Sequence, residues 1–223
     1  MITSQGEKEM KFFRNRIEAG RRLASALEDV VEKDAIVLAI PRGGVVVGFE
    51  VARILNLPLD IVVPRKIGAP ENPELAIGAI AENGIILLDD SLVSQLRVPE
   101  GFIKAESENQ RLEIERRLKM YRGAVSRPNL KNREVVIVDD GIATGSTMKA
   151  ALASVRKSGA RRIIVAIPVG PPSTIRELEM QADLVVCLHT PSSFYAIGEF
   201  YDDFAQTDDE EVKDLLRRAH KKS

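Results

Sequence analysis

The sequence predicts an α/β protein with a central, mostly parallel sheet flanked by helices. Apolar runs of strand length alternate along the chain with segments whose apolar residues recur at helical spacing. Residues 35–63 and 135–169 each form a strand–helix–strand unit, and such units pair their strands in parallel through a right-handed crossover. With 223 residues, of which 44% are apolar, the chain is long enough to build one sizeable core.

The elements of the first half follow from local patterns. In chain order we predict a helix over 12–31, a strand over 35–40, a helix over 45–55, a strand over 59–63, a Pro- and Gly-rich loop over 64–75, and two short strands within 76–88. The two short strands are predicted because Asn83-Gly84 lies between them, and Asn-Gly is the strongest short hairpin signal.

The second half continues the alternation. We predict a charged helix over 101–121, a strand over 135–138, a helix over 146–157, a strand over 163–169, a short helix over 173–180, a strand over 184–188 and a final helix capped by Thr207, with Glu210 completing a capping box. The charged helix has only a narrow apolar stripe at Ile114, Leu118 and Tyr121. We therefore expect it to pack at the edge of the sheet, over a cleft or against a partner subunit.

Composition excludes several classes of protein. The formal net charge is −1, from 32 basic and 33 acidic residues, which argues against nucleic-acid binding driven by charge. No apolar run approaches the roughly 20 residues of a membrane span, and residues 1–12 have no apolar signal-peptide region. The single cysteine, Cys187, lies in an apolar run, which favours a core position over a nucleophile and fits a reducing cytoplasm, the predicted location. No Cys/His cluster suggests zinc.

The most informative segment is the predicted strand over 135–138 and the residues that follow it. Asp139 and Asp140 stand at the carboxyl end of the strand, where open α/β sheets bind ligands. A loop of mostly small residues then leads into a helix: Gly141, Ile142, Ala143, Thr144, Gly145, Ser146 and Thr147. Its backbone N–H groups and hydroxyls can hold a phosphate. Acids beside a phosphate cradle suit a ligand with hydroxyls and a phosphate, such as ribose 5-phosphate.

Two other interpretations of this segment are weaker. A Walker-B-like strand ending in a metal-binding acid needs a GxxxxGK[ST] loop elsewhere, and the chain has none, because Gly43-Gly44 lacks the lysine and the spacing. A purely structural turn would not need two adjacent carboxylates, whose like charges repel.

The segment resembles the phosphoribosyl-pyrophosphate (PRPP) loop of type I phosphoribosyltransferases. In that family the acid pair, here Asp139 and Asp140, holds the ribose 2′- and 3′-hydroxyls, and the turn over 141–147 holds the 5′-phosphate. The resemblance implies the family's fold, with a small hood, and a Mg²⁺-dependent pentosyl transfer in nucleotide metabolism such as purine salvage. It also implies PRPP, pyrophosphate and a nucleobase-like molecule as partners, and a homodimer. We expect a single domain over 1–223, with a helical insertion near 91–131 and the hood near 189–205.

A second loop, Pro41-Arg42-Gly43-Gly44, follows the first predicted strand and precedes a helix. Its glycines let the backbone approach a ligand closely, and the helix N-terminus favours an anion. A plain tight turn is the alternative. By resemblance this is the family's pyrophosphate loop, in which an unusual cis peptide often occurs, and we place that bond between Arg42 and Gly43.

A basic pair, Arg65-Lys66, follows the second predicted strand. It is similar to the pair that precedes the flexible catalytic loop of adenine and orotate phosphoribosyltransferases. The resemblance implies that both side chains act in catalysis together with the acid pair; a solvated basic pair is the alternative. Glu71 and Glu74 nearby are able either to hold a metal or to pair with the lysine.

The last part of the predicted site is aromatic. Five of the ten aromatic residues lie within 194–204, which is compatible either with ordinary core or with a hood that stacks on a base. Phe194 and Tyr195 are the candidates for stacking. Where the 6-oxopurine enzymes carry an aspartate that faces the purine, this loop has Ala143, which resembles the adenine type. The remaining alternative to an enzyme is a regulator that senses PRPP or a nucleotide without turnover.

Overall fold

The structure is a computed structural model that describes residues 12–73, 75–123 and 127–221. The strands are β1 (Ile36–Ala39), β2 (Leu59–Ile61), β3 (Arg65–Gly68), β4 (Ala76–Ile80), β5 (Ile86–Leu88), β6 (Glu134–Val138), β7 (Arg162–Val169) and β8 (Leu184–His189). The helices are α1 (Arg16–Leu27), α2 (Gly43–Leu55), α3 (Asp90–Gln95), α4 (Glu100–Arg122), α5 (Ser146–Lys157), α6 (Pro172–Glu179) and α7 (Asp209–His220), with a 3₁₀ turn at Ile197–Phe200.

The central sheet confirms the predicted fold class. It has five parallel strands in the order β2-β1-β6-β7-β8. The chain proceeds outward in one direction from β1 to β2 and in the other from β6 to β8, so the topological switch point lies between β1 and β6. Ligands bind at such a point, beyond the carboxyl ends of the strands. Because Ala39 is in register with Val138, the loops after β1 and β6 leave the sheet side by side.

Helices cover both faces of the sheet, as expected for buried parallel strands. Val136 and Val138 of β6 pack into the cluster that α1, α2 and α7 share. Val135 and Ile137 point to the opposite face and pack against α5 and α6. This alternation explains why all five residues of β6 are buried and why the strand is almost entirely apolar.

A second sheet corrects the predicted loop over 64–75. Arg65–Gly68 form β3, which pairs antiparallel with β4 in a three-stranded sheet of order β3-β4-β5. Ile67 is fully buried there, and burial on the β4 hairpin outweighs the turn signals of Pro70 and Pro73, which lie just after the strand. The predicted Asn83-Gly84 hairpin is confirmed, with Gly84 at a φ of 76°.

The charged helix α4 packs against the small sheet and α7, so it lies at an edge, one of the predicted positions. Its buried residues are Ser107, Ile114 and Tyr121. At the start of α7 the predicted cap was wrong: Asp208 rather than Thr207 caps the helix, because its carboxylate accepts from the amide of Glu211 at 2.8 Å.

The segment before α1 was predicted as helix but is extended. Asn15 caps α1 by accepting from the amide of Glu18 at 3.0 Å, so the helix begins at Arg16. Phe13 instead forms a parallel bridge with Tyr201, and the amide of Phe13 donates to the carbonyl of Phe200 at 3.0 Å. The rings of these residues form a small aromatic cluster next to the central sheet.

Cys187 lies half-buried in β8, and its thiol donates to the carbonyl of His189 at 3.2 Å. Burial raises the pKa of the thiol to about 11, so it stays protonated at neutral pH, which argues against a nucleophile. Across the described residues, none of the helices is both long and apolar enough to span a bilayer.

Candidate active site

The acid pair stands where β6 ends. Asp139 is half-buried and Asp140 is buried, and the amide of Asp140 donates to Oδ1 of Asp139 at 2.8 Å. Burial raises the pKa of Asp139 well above its usual range, and the adjacent charge of Asp140 raises it further. Burial also raises the pKa of Asp140, although Arg16 opposes the shift. Two carboxylates in this setting are stabilised by a ligand that supplies hydroxyl donors or a cation.

Three hydrogen bonds from different elements fix the loop that follows. The hydroxyl of Tyr201 donates to the carbonyl of Asp140 at 2.6 Å. The amide of Ile142 donates to the carbonyl of Val169 at the end of β7 at 3.0 Å. The hydroxyl of Thr174 in α6 donates to the carbonyl of Ala143 at 2.7 Å. The backbone path of the loop is therefore set by its surroundings before any ligand is bound.

The loop ends at an N-terminus suited to an anion. Gly145 takes the cap position of α5 with a φ of 73°, a left-handed conformation that favours glycine, and it offers no capping side chain. The first amides of α5 are left for a ligand, since helices provide no internal partner for them. The hydroxyl oxygens of Thr144 and Ser146 lie 3.2 Å apart beside this turn. Thr147 is half-buried in the same turn.

The two predicted ligand loops are in direct contact. A β-carbon at Gly43 would overlap Oδ2 of Asp140, and one at Gly44 would lie 2.8 Å from Oδ1 of Asp139. This follows from the register of β1 and β6, which places α2 and the acid pair at the same edge of the sheet. Only glycine allows this close approach.

The position of the cis peptide corrects the sequence prediction. The cis bond joins Pro41 and Arg42, one residue before the predicted Arg42–Gly43 bond. The Arg42–Gly43 bond instead opens α2, where the amide of Val45 donates to the carbonyl of Arg42 at 3.0 Å.

The side chain of Arg42 lies at the rim of this loop. Its guanidinium is 3.7 Å from a carboxylate oxygen of Asp209 at the start of α7, and both side chains are about one-third exposed. The same oxygen of Asp209 accepts from the hydroxyl of Tyr121 at 2.5 Å. Burial raises the pKa of Tyr121 to about 12, so the hydroxyl remains a donor at neutral pH. The partner of Arg42 comes from α7 and also bonds a residue of α4, and the sequence connects neither helix with this loop.

The basic pair lies on the small sheet. Arg65 and Lys66 line a cavity of about 330 Å³ together with Phe102, Glu106 and Gln110 of α4. The guanidinium of Arg65 donates to the side-chain oxygen of Gln110 at 2.8 Å. Burial lowers the pKa of Arg65 and the charge of Arg117 lowers it further, so this guanidinium would gain from an anion.

The structure does not gather every residue proposed for metal binding. Glu71 is exposed, and Glu74 lies outside the described residues. Among the residues that the structure describes, no group of three or more His, Cys, Asp or Glu side chains is arranged to hold a metal ion.

A cavity of about 410 Å³ adjoins the first turn of α5, between α5 and the small sheet. Ser146 and Lys149 line it from α5, and Ala79, Leu87 and Leu88 line it from the sheet. The small sheet is therefore close enough to the first turn of α5 to form one wall of the site.

The hood contains both core aromatics and an exposed one. Phe200 and Tyr201 are buried, and the ring of Phe194 packs on that of Phe200 with centroids 5.2 Å apart. Tyr195 is 83% exposed. Of the two candidates for base stacking, Tyr195 has an open ring and Phe194 already uses part of its surface for packing.

Sequence reasoning missed one residue that touches the acid pair. Arg16, the first residue of α1, donates from Nε to Oδ2 of Asp140 at 2.7 Å. The two positions are 124 residues apart, and nothing in the local pattern around Arg16 distinguishes it from the other arginines of α1.

Comparison with known proteins identifies the family. The sequence model of the phosphoribosyl transferase domain matches residues 11–205. The chain belongs to the phosphoribosyl transferase family. The match includes the acid-pair loop, the Gly43-Gly44 loop, the basic pair and the hood. The central parallel sheet with its flanking helices is the type I fold of this family.

Two relatives are similar over nearly the whole of this chain. A Mycobacterium tuberculosis H37Rv protein, named as a phosphoribosyl transferase of unproven activity, is 45% identical over 212 residues, which cover 95% of this chain and 48% of that protein. The chain thus spans about half the length of this relative. The crystal structure of TT1426 from Thermus thermophilus is 41% identical with a TM-score of 0.80, covering 92% of this chain and 98% of TT1426.

Proposed function

We propose that this chain transfers the 5-phosphoribosyl group from PRPP to a nucleobase-like acceptor and releases pyrophosphate. The observation that carries the proposal is the contact of the Gly43-Gly44 loop with Asp139 and Asp140 at the switch point of the sheet. PRPP carries a diphosphate on C1, adjacent to the ribose hydroxyls. A site for it needs a diphosphate loop beside a hydroxyl-binding pair, which is the arrangement of these two loops.

The acid pair and α5 would bind the ribose 5-phosphate part of PRPP. Asp139 and Asp140 would accept hydrogen bonds from the 2′- and 3′-hydroxyls, and such charge-assisted bonds are each worth about 1.5–3 kcal/mol. The 5′-phosphate would lie at the first turn of α5, where the amides, the hydroxyls of Thr144 and Ser146 and the helix dipole favour an anion.

Arg42, Arg65 and Lys66 would stabilise the diphosphate as it leaves. Mg²⁺ would enter with PRPP and neutralise diphosphate charge while keeping several waters. We assign this Mg²⁺ no direct side-chain ligand, because the diphosphate would carry it into the site.

In the transfer, the bond from C1 to the diphosphate oxygen breaks and its electron pair leaves on pyrophosphate. A nitrogen lone pair of the acceptor forms the new bond to C1, and the nitrogen's proton passes to solvent. Positive charge develops on the ribosyl centre and negative charge on the leaving group. The protein's contribution is then to hold the reactants in line and to place cations at the diphosphate.

The acceptor would be adenine or another base outside the 6-oxopurines. Ala143 is exposed on the loop and has no group that can hydrogen-bond the edge of a purine. The open ring of Tyr195 would supply stacking, which any planar base accepts.

The decisive experiment combines calorimetry of Mg²⁺-PRPP with a pyrophosphate-release assay over adenine, hypoxanthine, guanine, uracil and orotate. We expect binding of PRPP and release of pyrophosphate with at least one base. Absence of PRPP binding would refute the proposal. Binding without turnover of any base would instead favour the sensing regulator.

A further inference from the structure

Arg16 connects three parts of the molecule at the acid pair. Its Nε donates to Oδ2 of Asp140 at 2.7 Å, and its Nη1 donates to the carbonyl of Ala205 in the hood, also at 2.7 Å. The guanidinium lies over the ring of Phe204, 3.8 Å from the centroid. The side chain of Arg16 is only 11% exposed. Its position is therefore fixed by α1, the hood and the acid pair together.

This pairing divides the oxygens of the two carboxyls between the protein and a ligand. Arg16 takes Oδ2 of Asp140, and the amide of Asp140 takes Oδ1 of Asp139. The two carboxyls are also within hydrogen-bond contact of each other, so their remaining oxygens form one adjacent pair that can accept hydrogen bonds from hydroxyls. Two adjacent acceptors match a vicinal diol, in which two hydroxyls project from neighbouring carbons.

We propose that Arg16 is a positioning residue of the phosphoribosyl site, which holds Asp140 in the orientation and the ionised form that the ribose hydroxyls require. This inference rests on the proposed function for the identity of the ligand. Arg16 acts through Asp140 and does not touch the ribose itself.

The charged and polar groups around Asp140 make its protonation depend on Arg16. From β6 it faces Asp139, whose negative charge favours protonation of the pair. From the hood, the Tyr201 hydroxyl is committed to the backbone carbonyl of Asp140. From the start of α2 it faces Gly43, which has no side chain. Arg16 of α1 therefore makes the largest contribution that opposes the effect of burial on the pKa of this carboxyl, and a hydrogen bond with the side chain of Asp139 adds to it.

The chain offers a matched control on the same helix. Arg22 lies over the ring of Phe13, 4.7 Å from the centroid, and donates to the carbonyl of Phe12 at 2.7 Å. It thus makes the same kinds of aromatic and carbonyl contact as Arg16. Its carboxylate neighbour is Glu18, at 3.9 Å on the surface of α1, and not the acid pair. Arg22 is more exposed than Arg16 (41% against 11%) and also contacts His189, so Arg22→Gln reports the effect of losing an arginine on α1 that does not touch the acid pair.

The test compares Arg16→Gln, Arg16→Lys and Arg22→Gln with the unmodified chain in two measurements. The first, without ligand, follows the carboxyl carbons of ¹³C-labelled aspartate by NMR as a function of pH, with Asp140→Asn used for assignment. The second measures Mg²⁺-PRPP affinity by calorimetry at pH values below and above the Asp140 midpoint that the titration gives.

In Arg16→Gln we expect the titration midpoint of Asp140 to rise by about one pH unit or more. PRPP affinity should fall about 10-fold or more at pH values below the raised midpoint, and most of this loss should disappear at pH values above it, where the carboxyl is ionised again. Arg16→Lys keeps the charge, so its Asp140 midpoint should stay close to that of the unmodified chain. Arg22→Gln should change neither midpoint nor pH profile.

An unchanged Asp140 midpoint in Arg16→Gln would overturn the inference. So would an affinity loss that is the same at every pH and equal in Arg22→Gln, since that pattern indicates a structural role alone. If Arg16→Gln does not fold, Arg16→Met, which keeps the packing on Phe204 without the charge, replaces it, and an unchanged Asp140 midpoint in Arg16→Met would overturn the inference. If the unmodified chain binds no PRPP, the proposed function fails, and the NMR titration still decides whether Arg16 keeps Asp140 ionised.

Discussion

Gly43 packs against the carboxyl of Asp140 so closely that a β-carbon at this glycine would overlap Oδ2 of the aspartate. The neighbouring positions of β1 and β6 cause this contact, because the loops after both strands leave the sheet at the same edge. The Gly43-Gly44 loop and the acid pair therefore behave as one structural unit.

Gly43→Ala should displace Asp140 and weaken PRPP binding by about 10-fold or more, because the added methyl group competes with a carboxyl that would bind the ribose. Overpacking should also cost about 1–3 kcal/mol of folding stability. Calorimetry and thermal melting measure the two effects.

Gly101→Ala in α4 is the control, since nothing lies within 4 Å of its β-carbon position. It should leave binding unchanged and raise stability by up to about 1 kcal/mol. Equal PRPP affinity in Gly43→Ala and Gly101→Ala would contradict the conclusion that the Gly43-Gly44 loop and the acid pair form one structural unit.

Changing Asp139→Asn and Asp140→Asn together should weaken Mg²⁺-PRPP binding by two orders of magnitude or more, since about 1.5–3 kcal/mol is lost with each charge-assisted bond. Asp202→Asn with Asp203→Asn provides an adjacent acid pair in the hood, and both of its residues are exposed. This control should keep the affinity of the unmodified chain. Wild-type affinity in the Asp139/Asp140 variant would rule out the ribose assignment.

Asp139→Asn alone should stabilise the unliganded protein at neutral pH. Burial raises the pKa of Asp139 in the folded state, so its ionised form costs folding energy once the pH exceeds that pKa. The amide removes this cost and its oxygen still accepts from the amide of Asp140. We expect the melting temperature to rise by about 2–4 °C at pH 8, the size expected for about 1 kcal/mol in a chain of this length. The increase in melting temperature should vanish near pH 3, where the carboxyl is protonated in both the folded and the unfolded state. An increase that does not depend on pH would show that it does not come from the ionisation of Asp139.

Lys66→Ala should slow PRPP turnover much more than it weakens binding of a nucleoside monophosphate. The monophosphate has no diphosphate that Lys66 could contact, so the substitution should lower activity only with PRPP. Lys104→Ala is the control, because Lys104 is an exposed residue of α4, and it should change neither PRPP turnover nor binding of the monophosphate. Steady-state kinetics measure PRPP turnover, and calorimetry measures binding of the monophosphate. Equal losses for the two ligands would mean that Lys66 contacts the 5′-phosphate or stabilises the fold.

Adenine should be preferred over hypoxanthine and guanine if a purine is the acceptor. Ala143 cannot carry a proton for a 6-oxopurine, and general acid–base assistance of that kind is typically worth about 10²–10⁴-fold. The measurement is kcat/KM for each base under the same PRPP and Mg²⁺ conditions. Hypoxanthine or guanine as the best substrate would show that the loop position does not select the base.

The elements that the sequence predicts well are those with strong local signals. The helix over 146–157 has the predicted ends because a turn of small residues precedes it and Gly159 follows it. The hairpin at Asn83-Gly84 also depends on adjacent residues alone. The strand Arg65–Gly68 was missed because its stability comes from pairing with β4, which a local turn signal cannot reveal.

The same division applies to the candidate site. The acid pair and the Gly43-Gly44 loop can be found from strand ends and glycines, and the parallel order of β1 and β6 explains why they meet. Arg16 and the Asp209 partner of Arg42 could not be found in this way, because long-range packing of α1, α4 and α7 brings them to the site. The assignment of Arg65, Lys66, Phe194 and Tyr195 to ligand contacts stays a prediction.

The hydrogen bond from Arg16 to Ala205 joins positions 189 residues apart, and Arg16 also contacts Asp140 of the acid pair. Closing so long a loop is a late event for a folding chain, because its entropic cost must be met before the contact contributes. Partly folded chains with an intact central sheet would then have no complete ligand site. PRPP would therefore bind only chains whose folding is complete. At saturating concentration, PRPP would shift the equilibrium from late folding intermediates to the native state by mass action.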